Sequence, residues 1–181
     1  KFKCATIAEA ELLGSLKAPD VLLAYQPVGP KVERLLKLVE VFPDTKFSCL
    51  IDNFGSAENI GRVFSALEKE IEVYIDINAG MNRSGIKTAF AFGLYQECYN
   101  IPGIIIKGLH LYDGHFRQVE FSDRKGACDA NFEQLTELAI KIKDSGFPKP
   151  IIVAGGSPTF PIHAQREFVE CSPGTFVFWD K

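Results

Sequence analysis

One short segment of this sequence places a permanently charged side chain where small residues normally turn the chain. The segment NAGMNRSGI runs from Asn78 to Ile86 and sets Arg83 between Gly80 and Gly85. A planar guanidinium can bind a carboxylate or a phenolate with a fixed direction. An arginine in a loop is also often a plain surface residue, so Arg83 alone leaves both interpretations open.

Two further segments combine glycine with hydroxyl residues. GGSPTF contains Gly155, Gly156 and Ser157, and SPGTF contains Gly174 and Thr175. Glycine lets the backbone approach a ligand closely, and N–H groups at a helix start bind anions. Either turn alone fits an ordinary cap or loop equally well. Because both follow neighbouring late strand-like runs, the pair favours a phosphate site.

Histidines and carboxylates are weaker candidates. The three histidines, His110, His115 and His163, show no metal-ligand spacing, so no metal site is predicted from them. Asp52 and Asp76 stand at or near the ends of strand-like runs. A carboxylate there can act as an acid or a base, but more often it orients a neighbouring group.

Composition favours one globular domain that binds a small ligand. The chain has 181 residues, of which 46% are hydrophobic and 24% charged, enough to bury a core. Its 20 basic and 23 acidic residues nearly balance, so bulk charge indicates neither nucleic acid nor an anionic membrane as a partner. No apolar run reaches the roughly 18 residues of a membrane span.

The cysteines indicate buried thiols in a reducing compartment, and we expect a cytoplasmic protein. They are odd in number and show no CxxC spacing: Cys4, Cys49, Cys98, Cys128 and Cys171. The sequence starts at Lys1, without Met, inside a strand-like segment and closes on the apolar TFVFWDK. We therefore expect a longer protein to contain this chain.

Apolar strand-like runs alternate with amphipathic helix-like segments along the chain. Strands are predicted at Phe2–Ile7, Val21–Tyr25, Phe47–Asp52, Glu72–Asn78, Ile104–Tyr112, Ile151–Ala154 and Phe168–Cys171, with a further apolar piece at Thr175–Trp179. Helices are predicted at Ala8–Leu16, Lys31–Val41, Ala57–Glu70, Thr88–Tyr99 and Ala130–Ser145.

This alternation predicts parallel strands joined by right-handed crossovers. Most of the runs are continuously apolar, as in a sheet covered on both faces. The fold class is therefore α/β, a (β/α)8 TIM-type barrel rather than a doubly wound sheet, with its first strand expected upstream. Barrels carry function after the carboxyl ends of their strands, where the two glycine turns and the long loop Asp113–Lys125 fall.

Five segments resemble, in order, the barrel domain of pyridoxal-phosphate enzymes of the alanine racemase fold type. The resemblance is strongest to the branch that contains D-threonine aldolase and eukaryotic-type D-serine dehydratase, and it covers nearly the whole chain. GMNRSG is shared across the fold type, whereas GGSPT and PGTFVFWD are more specific to the branch. The segments are ATIAEAELL (5–13), DINAGMNRSGI (76–86), GLHLYDGH (108–115), GGSPTF (155–160) and ECSPGTFVFWD (170–180).

The resemblance implies roles for particular residues. Arg83 would contact the phenolic oxygen of the cofactor, and Tyr112 and His115 would lie near its pyridine ring or the substrate. These three are the candidate catalytic residues. The phosphate would be bound at Gly155, Gly156, Ser157, Gly174 and Thr175.

The sequence departs from the family at two places. Racemases pair the pyridine nitrogen with an arginine just before their Pro-Gly, but this chain has Ser172 before Pro173. That weakens the racemase interpretation, because an unpaired ring nitrogen is a poorer electron sink. The family's Schiff-base lysine lies upstream, and neither Lys1 nor Lys3 matches it. Residues 1–181 are therefore expected to be a partial pyridoxal-phosphate-binding barrel domain, inactive alone.

For the full-length protein, the resemblance implies a lyase or aldolase that acts on a small D-amino acid, with no nucleic-acid or membrane partner. It further implies a homodimer and a C-terminal β domain, through which a divalent metal could bind. Three alternatives stay open: an amino-acid racemase of the same fold type, a non-catalytic pyridoxal-phosphate homeostasis protein, and a barrel aldolase that uses a metal or a lysine. The sequence does not distinguish elimination, aldol cleavage and racemisation.

Overall fold

A computed structural model of the chain describes residues 1–174. Within those residues, seven strands alternate with six helices. The strands are β1 (Phe2–Cys4), β2 (Asp20–Leu23), β3 (Lys46–Ile51), β4 (Ile71–Ile77), β5 (Ile104–Leu111), β6 (Ile151–Ala154) and β7 (Val169–Cys171). The helices are α1 (Ile7–Ser15), α2 (Pro30–Val41), α3 (Phe54–Ser65), α4 (Thr88–Cys98), α5 (Phe121–Asp144) and α6 (Phe160–His163).

The seven strands form one sheet in chain order, from β1 to β7. Paired strands run parallel, with Phe2 opposite Val21 in β1 and β2, and with Gly108 opposite Ile151 in β5 and β6. A doubly wound sheet reverses its strand order at a switch point, and this sheet does not. The predicted parallel α/β arrangement in chain order is thus confirmed.

The chain divides into two compact units, and the first comprises Lys1–Ile75 and Gly93–Lys107. Its helix α2 begins with Pro30 in the first turn, which suits the fixed φ of proline. The buried face of α2 contains Leu35 and Leu36, and Phe64 of α3 is fully buried as well. Each such side chain contributes about 1.5–3 kcal/mol relative to an exposed one, so apolar burial stabilises this unit.

The second unit comprises Asp76–Phe92 and the residues from Gly108 onward, and it contains most of the predicted site residues. Leu109 and Leu111 of β5 are buried, as are Leu135 and Ile142 of α5. These residues belong to the apolar core of the unit.

The predicted start of α5 was wrong. The sequence predicted a loop up to Lys125 and a helix from Ala130, but the helix begins at Phe121. Cys128 is the first buried residue of α5, so the first two turns carry no apolar periodicity that a sequence pattern could reveal. A helix start was predicted at the GGSPTF turn without bounds, and the helix found there is the short α6. The predicted piece Thr175–Trp179 lies outside the described residues.

All five cysteines are free, and four of them are buried, as predicted. Burial raises the pKa of the Cys49 thiol to about 12. A thiol with such a pKa stays protonated near neutral pH and is a poor nucleophile. None of the described helices combines the length and the apolar character needed to cross a membrane.

Candidate functional site

Arg83 lies in a loop that its own hydrogen bonds hold in shape. The Asn78 side chain accepts the Asn82 N–H at 3.2 Å, and the Asn78 N–H donates to the Ile86 carbonyl at 2.9 Å. The Ile86 N–H in turn donates to the Asp76 carbonyl at 2.9 Å. The loop is therefore closed at its base and braced inside, so that Arg83 is presented from a fixed frame.

Gly85 is required by the geometry of this loop. Its φ is +91°, in the left-handed region that disfavours other residues. A Cβ at this position would lie 2.7 Å from the backbone N of Asn78, which is too close for any real contact. The glycine beside Arg83 thus allows the loop to fold back onto the end of β4.

Asp76 orients its neighbours, which was the more common of its two predicted roles. Its side chain is buried, and one carboxylate oxygen accepts the Ser84 hydroxyl at 2.9 Å. The other lies 2.7 Å from Nδ1 of His110, itself buried in β5. The Asp76 carboxylate therefore holds the Arg83 loop in place through Ser84. Asp52, the other predicted carboxylate, accepts the Gln26 side-chain amide at 2.9 Å in the first unit.

The structure brings Arg83 and Tyr112 together. The guanidinium carbon of Arg83 lies 5.0 Å from the centre of the Tyr112 ring, within the range of a cation–π contact. Arg83 is exposed and Tyr112 is half-buried. A cationic group and an aromatic face therefore stand side by side after β4 and β5.

His115 lies near the same loop. Its Nε2 is 3.4 Å from the position that a Cβ on Gly80 would occupy, and its ring packs against Phe116 at 4.3 Å between centres. Nδ1 of His115 is buried and has no hydrogen-bond partner within the described residues. A buried polar atom without a partner is costly, which favours a group that approaches this histidine.

In the turn after β6, both glycine N–H groups donate hydrogen bonds to other groups of this chain. Gly155 donates to the Leu111 carbonyl at 3.1 Å. Gly156 donates to Oδ1 of Asp113 at 2.9 Å and to the Thr159 hydroxyl oxygen at 3.1 Å. The two glycines thus give the turn its shape, and any anion there would depend on other donors.

Close packing explains Gly156. A Cβ on Gly156 would lie 2.6 Å from Cα of Gly114 and 3.1 Å from Cε2 of Tyr112. The turn therefore touches the loop that carries Tyr112. The helix that follows, α6, is only four residues long, so its dipole adds little to anion binding.

The remaining predicted phosphate residues are Ser157, Gly174 and Thr175. Ser157 is half-buried in the turn after β6, and Gly174 is exposed after β7. Thr175 lies outside the described residues. The phosphate-binding role of all these residues stays a prediction.

Sequence reasoning missed a buried polar cluster behind this turn. Oδ2 of Asp113 lies 2.8 Å from Nε2 of His163, and Sγ of Cys128 lies 3.3 Å from the same nitrogen. All three residues are fully buried. Asp113 is 50 positions from His163 and 15 from Cys128, so no local spacing could reveal the cluster. The one signal was an acidic residue directly after the predicted apolar run Ile104–Tyr112.

Arg166 determines which ring nitrogen of His163 carries the proton. Its guanidinium hydrogen-bonds to Nδ1 of His163 and also to the Asp129 carboxylate. Arginine can only donate, so Nδ1 accepts, and the ring proton is on Nε2, where it is donated to Asp113. Burial alone would raise the pKa of Asp113, but the hydrogen bonds from His163, Thr159 and Gly156 outweigh it and hold that pKa below its ordinary value.

The same cluster offers the donor atoms of a metal site. One ligand atom each from Asp113, Cys128 and His163 lies within 4.8 Å of the others. However, Nε2 of His163 carries a proton, and burial raises the pKa of the Cys128 thiol to about 11. A metal requires a neutral imidazole lone pair and a thiolate. The geometry supports a closed hydrogen-bond network more than an ion site.

The whole sequence decides the family. The model of the family "Alanine racemase, N-terminal domain" matches residues 1–181. The chain belongs to this family. The predicted resemblance to the alanine racemase fold type is confirmed.

Solved structures share the fold. D-threonine aldolase from Filomicrobium marinum matches with a TM-score of 0.87 at 22% identity, over 96% of this chain and 47% of that one. D-threo-3-hydroxyaspartate dehydratase from Delftia sp. HT23 matches with a TM-score of 0.84 at 20% identity, over 97% and 47%. Alanine racemase from Clostridium difficile 630, in complex with cycloserine, matches with a TM-score of 0.63 at 16% identity, over 95% and 50%. No curated protein sequence matches the chain.

These matches confirm the predicted α/β fold of TIM-barrel type, with its parallel strands and helices in alternation. This alanine-racemase-family domain spans about half the length of the structures it resembles. At such low identity the likeness establishes the fold and leaves the reaction to be argued from the site.

Proposed function

We propose that this chain is the barrel domain of a pyridoxal-phosphate-dependent lyase or aldolase that acts on a D-amino acid. One observation carries the proposal: the Tyr112 ring lies close to two predicted cofactor contacts, Arg83 and Gly156. The guanidinium carbon of Arg83 lies 5.0 Å from the ring centre, and Cε2 of the ring lies 3.1 Å from the position of a Cβ on Gly156. A cation, an aromatic face and a glycine turn thus follow β4, β5 and β6 in sequence.

The residues present fit pyridoxal phosphate. The cofactor is a flat ring with a phenolic oxygen on one side and a phosphate on an arm, so it needs a directed cation, an aromatic or apolar face and hydroxyl donors. Arg83 supplies the first, Tyr112 the second and Ser157 the third. The buried Nδ1 of His115, without a partner in the described residues, gives a polar ligand a further contact.

In this proposal the cofactor, when bound, supplies the electron sink for bond cleavage beside the substrate amino group. Arg83 pairs with the phenolic oxygen and holds the ring in one orientation, because its planar fork fixes direction as well as charge. Tyr112 packs against the ring. His115 accepts or holds a proton at Nδ1, close to the Arg83 loop. Asp76 keeps that loop in place through Ser84.

Ser172 favours a lyase or aldolase over a racemase. It is buried, and its N–H donates to the Ala154 carbonyl at 3.1 Å, so it stands at the end of β7 where the racemases place an arginine. A serine brings no positive charge to a ring nitrogen. Racemisation, elimination and aldol cleavage all place electron density on the α carbon, so Ser172 argues against a racemase only because the arginine of the racemases is missing here.

The parts of the site beyond this chain are also proposals. We propose that the Schiff-base lysine, the divalent-metal ligands and the second subunit of a homodimer lie outside residues 1–181. A cytoplasmic location is proposed on the free and mostly buried thiols.

The test is a reaction panel with the intact protein and added pyridoxal phosphate. D-threonine, D-serine and D-3-hydroxyaspartate are each incubated beside their L-enantiomers, with chiral chromatography for amino acids and separate detection of keto acids and aldehydes. We expect consumption of D-isomers only, with a keto acid or an aldehyde as product. Arg83→Gln should abolish this turnover, while Arg62→Gln, on the surface of α3, should preserve it.

Two results would contradict the proposal. Formation of the opposite enantiomer as the main product identifies a racemase. Tight cofactor binding without consumption of any amino acid identifies a cofactor-managing protein.

A further inference from the structure

A buried carboxylate, that of Asp113, holds the turn Gly155–Thr159. Oδ1 of Asp113 accepts the Gly156 N–H at 2.9 Å and also the Thr159 hydroxyl. The side chain of Asp113 is fully buried. One oxygen atom therefore fixes the start and the end of the turn together.

The second oxygen of Asp113 fixes the plane of the carboxylate. Oδ2 accepts Nε2–H of His163 at 2.8 Å, and the Cys128 thiol lies 3.6 Å from it. Arg166, held by Asp129, prevents His163 from turning its proton the other way. Asp113 thus cannot rotate without breaking bonds at both oxygens, and the turn cannot shift without breaking bonds to Asp113.

We propose that Asp113 is a positioning residue for cofactor binding: with Thr159 it sets the shape of the Gly155–Thr159 turn, and His163 and Arg166 set the orientation of Asp113. This inference rests on the proposed function, in which that turn binds the phosphate of pyridoxal phosphate. It gives the buried network a role that neither a metal ion nor direct ligand contact supplies.

The negative charge of Asp113 and its hydrogen bonds predict opposite changes in cofactor affinity when the residue is replaced. A buried negative charge behind a phosphate site repels the phosphate, so its removal should tighten binding if charge were its only effect. The amide of Asp113→Asn has one acceptor oxygen, so it cannot accept from His163 on one side and from Gly156 and Thr159 on the other. This mismatch should instead loosen the turn and weaken binding. The sign of the change in affinity therefore separates the two.

The experiment compares two probes in the intact protein: pyridoxal phosphate and pyridoxal, which lacks the phosphate. Their dissociation constants are measured by equilibrium dialysis for the wild type, Asp113→Asn and Thr159→Val. The ratio of the two constants isolates the phosphate contribution, because a general loss of structure weakens both probes. We expect the dissociation constant of pyridoxal divided by that of pyridoxal phosphate to fall on the order of ten-fold in both variants, as the loss of one well-placed hydrogen-bonded contact implies.

Two control variants complete the design. Thr159→Ser keeps the hydroxyl and should restore the wild-type ratio. Thr136→Val removes a hydroxyl that donates to the Phe132 carbonyl one turn earlier in α5, and it should leave the ratio unchanged. Near-ultraviolet circular dichroism checks folding. If Asp113→Asn fails to fold, Thr159→Val decides, since it changes no charge.

The outcomes separate the two proposals. A wild type that binds pyridoxal as tightly as pyridoxal phosphate overturns the phosphate site and this inference with it. A wild type that prefers the phosphorylated probe, with that preference unchanged or increased in Asp113→Asn and Thr159→Val, overturns the positioning role alone.

Discussion

Replacing Gly85 with alanine tests whether the shape of the Arg83 loop controls ligand binding. Gly85 has a φ of +91°, and a Cβ there would lie 2.7 Å from the backbone N of Asn78. The left-handed conformation costs an L-residue roughly 1–2 kcal/mol. Forcing a methyl group into a packed site typically costs about 1–3 kcal/mol more. We therefore expect Gly85→Ala to lower the free energy of unfolding by about 2–5 kcal/mol.

Gly146 provides a matched control that separates the two costs. Its φ is +89°, but within residues 1–174 no atom beyond Gly146 and its two chain neighbours lies within 4 Å of the position of its Cβ. Gly146→Ala should therefore lower the free energy of unfolding only by the conformational cost, about 1–2 kcal/mol. Urea denaturation followed by circular dichroism measures both variants. The difference between them is the cost of the contact with Asn78.

The same pair of variants reports on the site. Gly85 is two residues from Arg83, so a displaced loop should move the guanidinium and weaken pyridoxal phosphate binding, whereas Gly146→Ala should keep the wild-type affinity. Equal losses of stability in the two variants would refute the contact argument. Unchanged cofactor affinity in Gly85→Ala would refute the link between the loop and the ligand.

Four further predictions follow from single contacts. Arg83→Lys keeps the charge but loses the planar fork, so cofactor affinity should fall on the order of ten-fold with a changed absorption spectrum, while Arg62→Lys should match the wild type in both measurements. Thr6→Ala removes the capping box of α1 and should cost about 1 kcal/mol in urea denaturation, and an unchanged midpoint would contradict the capping role. The pKa of Asp113 is lowered in the folded protein, so the wild type should exceed Asp113→Asn in free energy of unfolding by a constant amount above about pH 5. That excess should shrink as the pH falls below the ordinary aspartate pKa of about 4 towards the folded pKa. A difference that does not depend on pH would show that the carboxylate charge is not involved. Borohydride reduction of the 181-residue chain with pyridoxal phosphate should leave no stoichiometric pyridoxyl-lysine in a peptide digest, and one such adduct would place the Schiff-base lysine within Lys1–Lys181.

Local patterns were sufficient to predict the strands and most of the helices. The predicted Ile151–Ala154 agrees with β6 at both ends, and Ile104–Tyr112 exceeds β5 by one residue. Both are short buried runs whose apolar residues lie next to each other in sequence. The first turns of α5 escaped prediction because most of their residues are polar or exposed and the first buried residue of the helix is Cys128.

The site was predicted only where chemistry is concentrated in a short segment. The segment GMNRSG indicates Arg83 as a site residue because glycine, asparagine and arginine are neighbours in the chain. Asp113, by contrast, is joined to Thr159 and His163 across 46 and 50 positions, and nothing in its own segment states that it will be buried. Hydrogen bonds between distant segments depend on the packed fold, so a single sequence does not display them.

The hydrogen bonds around His163 run in one direction, from Arg166 through the imidazole to Asp113. Because arginine cannot accept and an ionised carboxylate cannot donate, no member of this series can be reversed on its own. A change at one end creates two facing donors or two facing acceptors in the buried interior until the other end changes as well. Substitutions at these three positions should therefore be strongly non-additive, and homologous sequences should vary there together or not at all. A designer who wishes to alter the turn after β6 would have to replace the series as a unit.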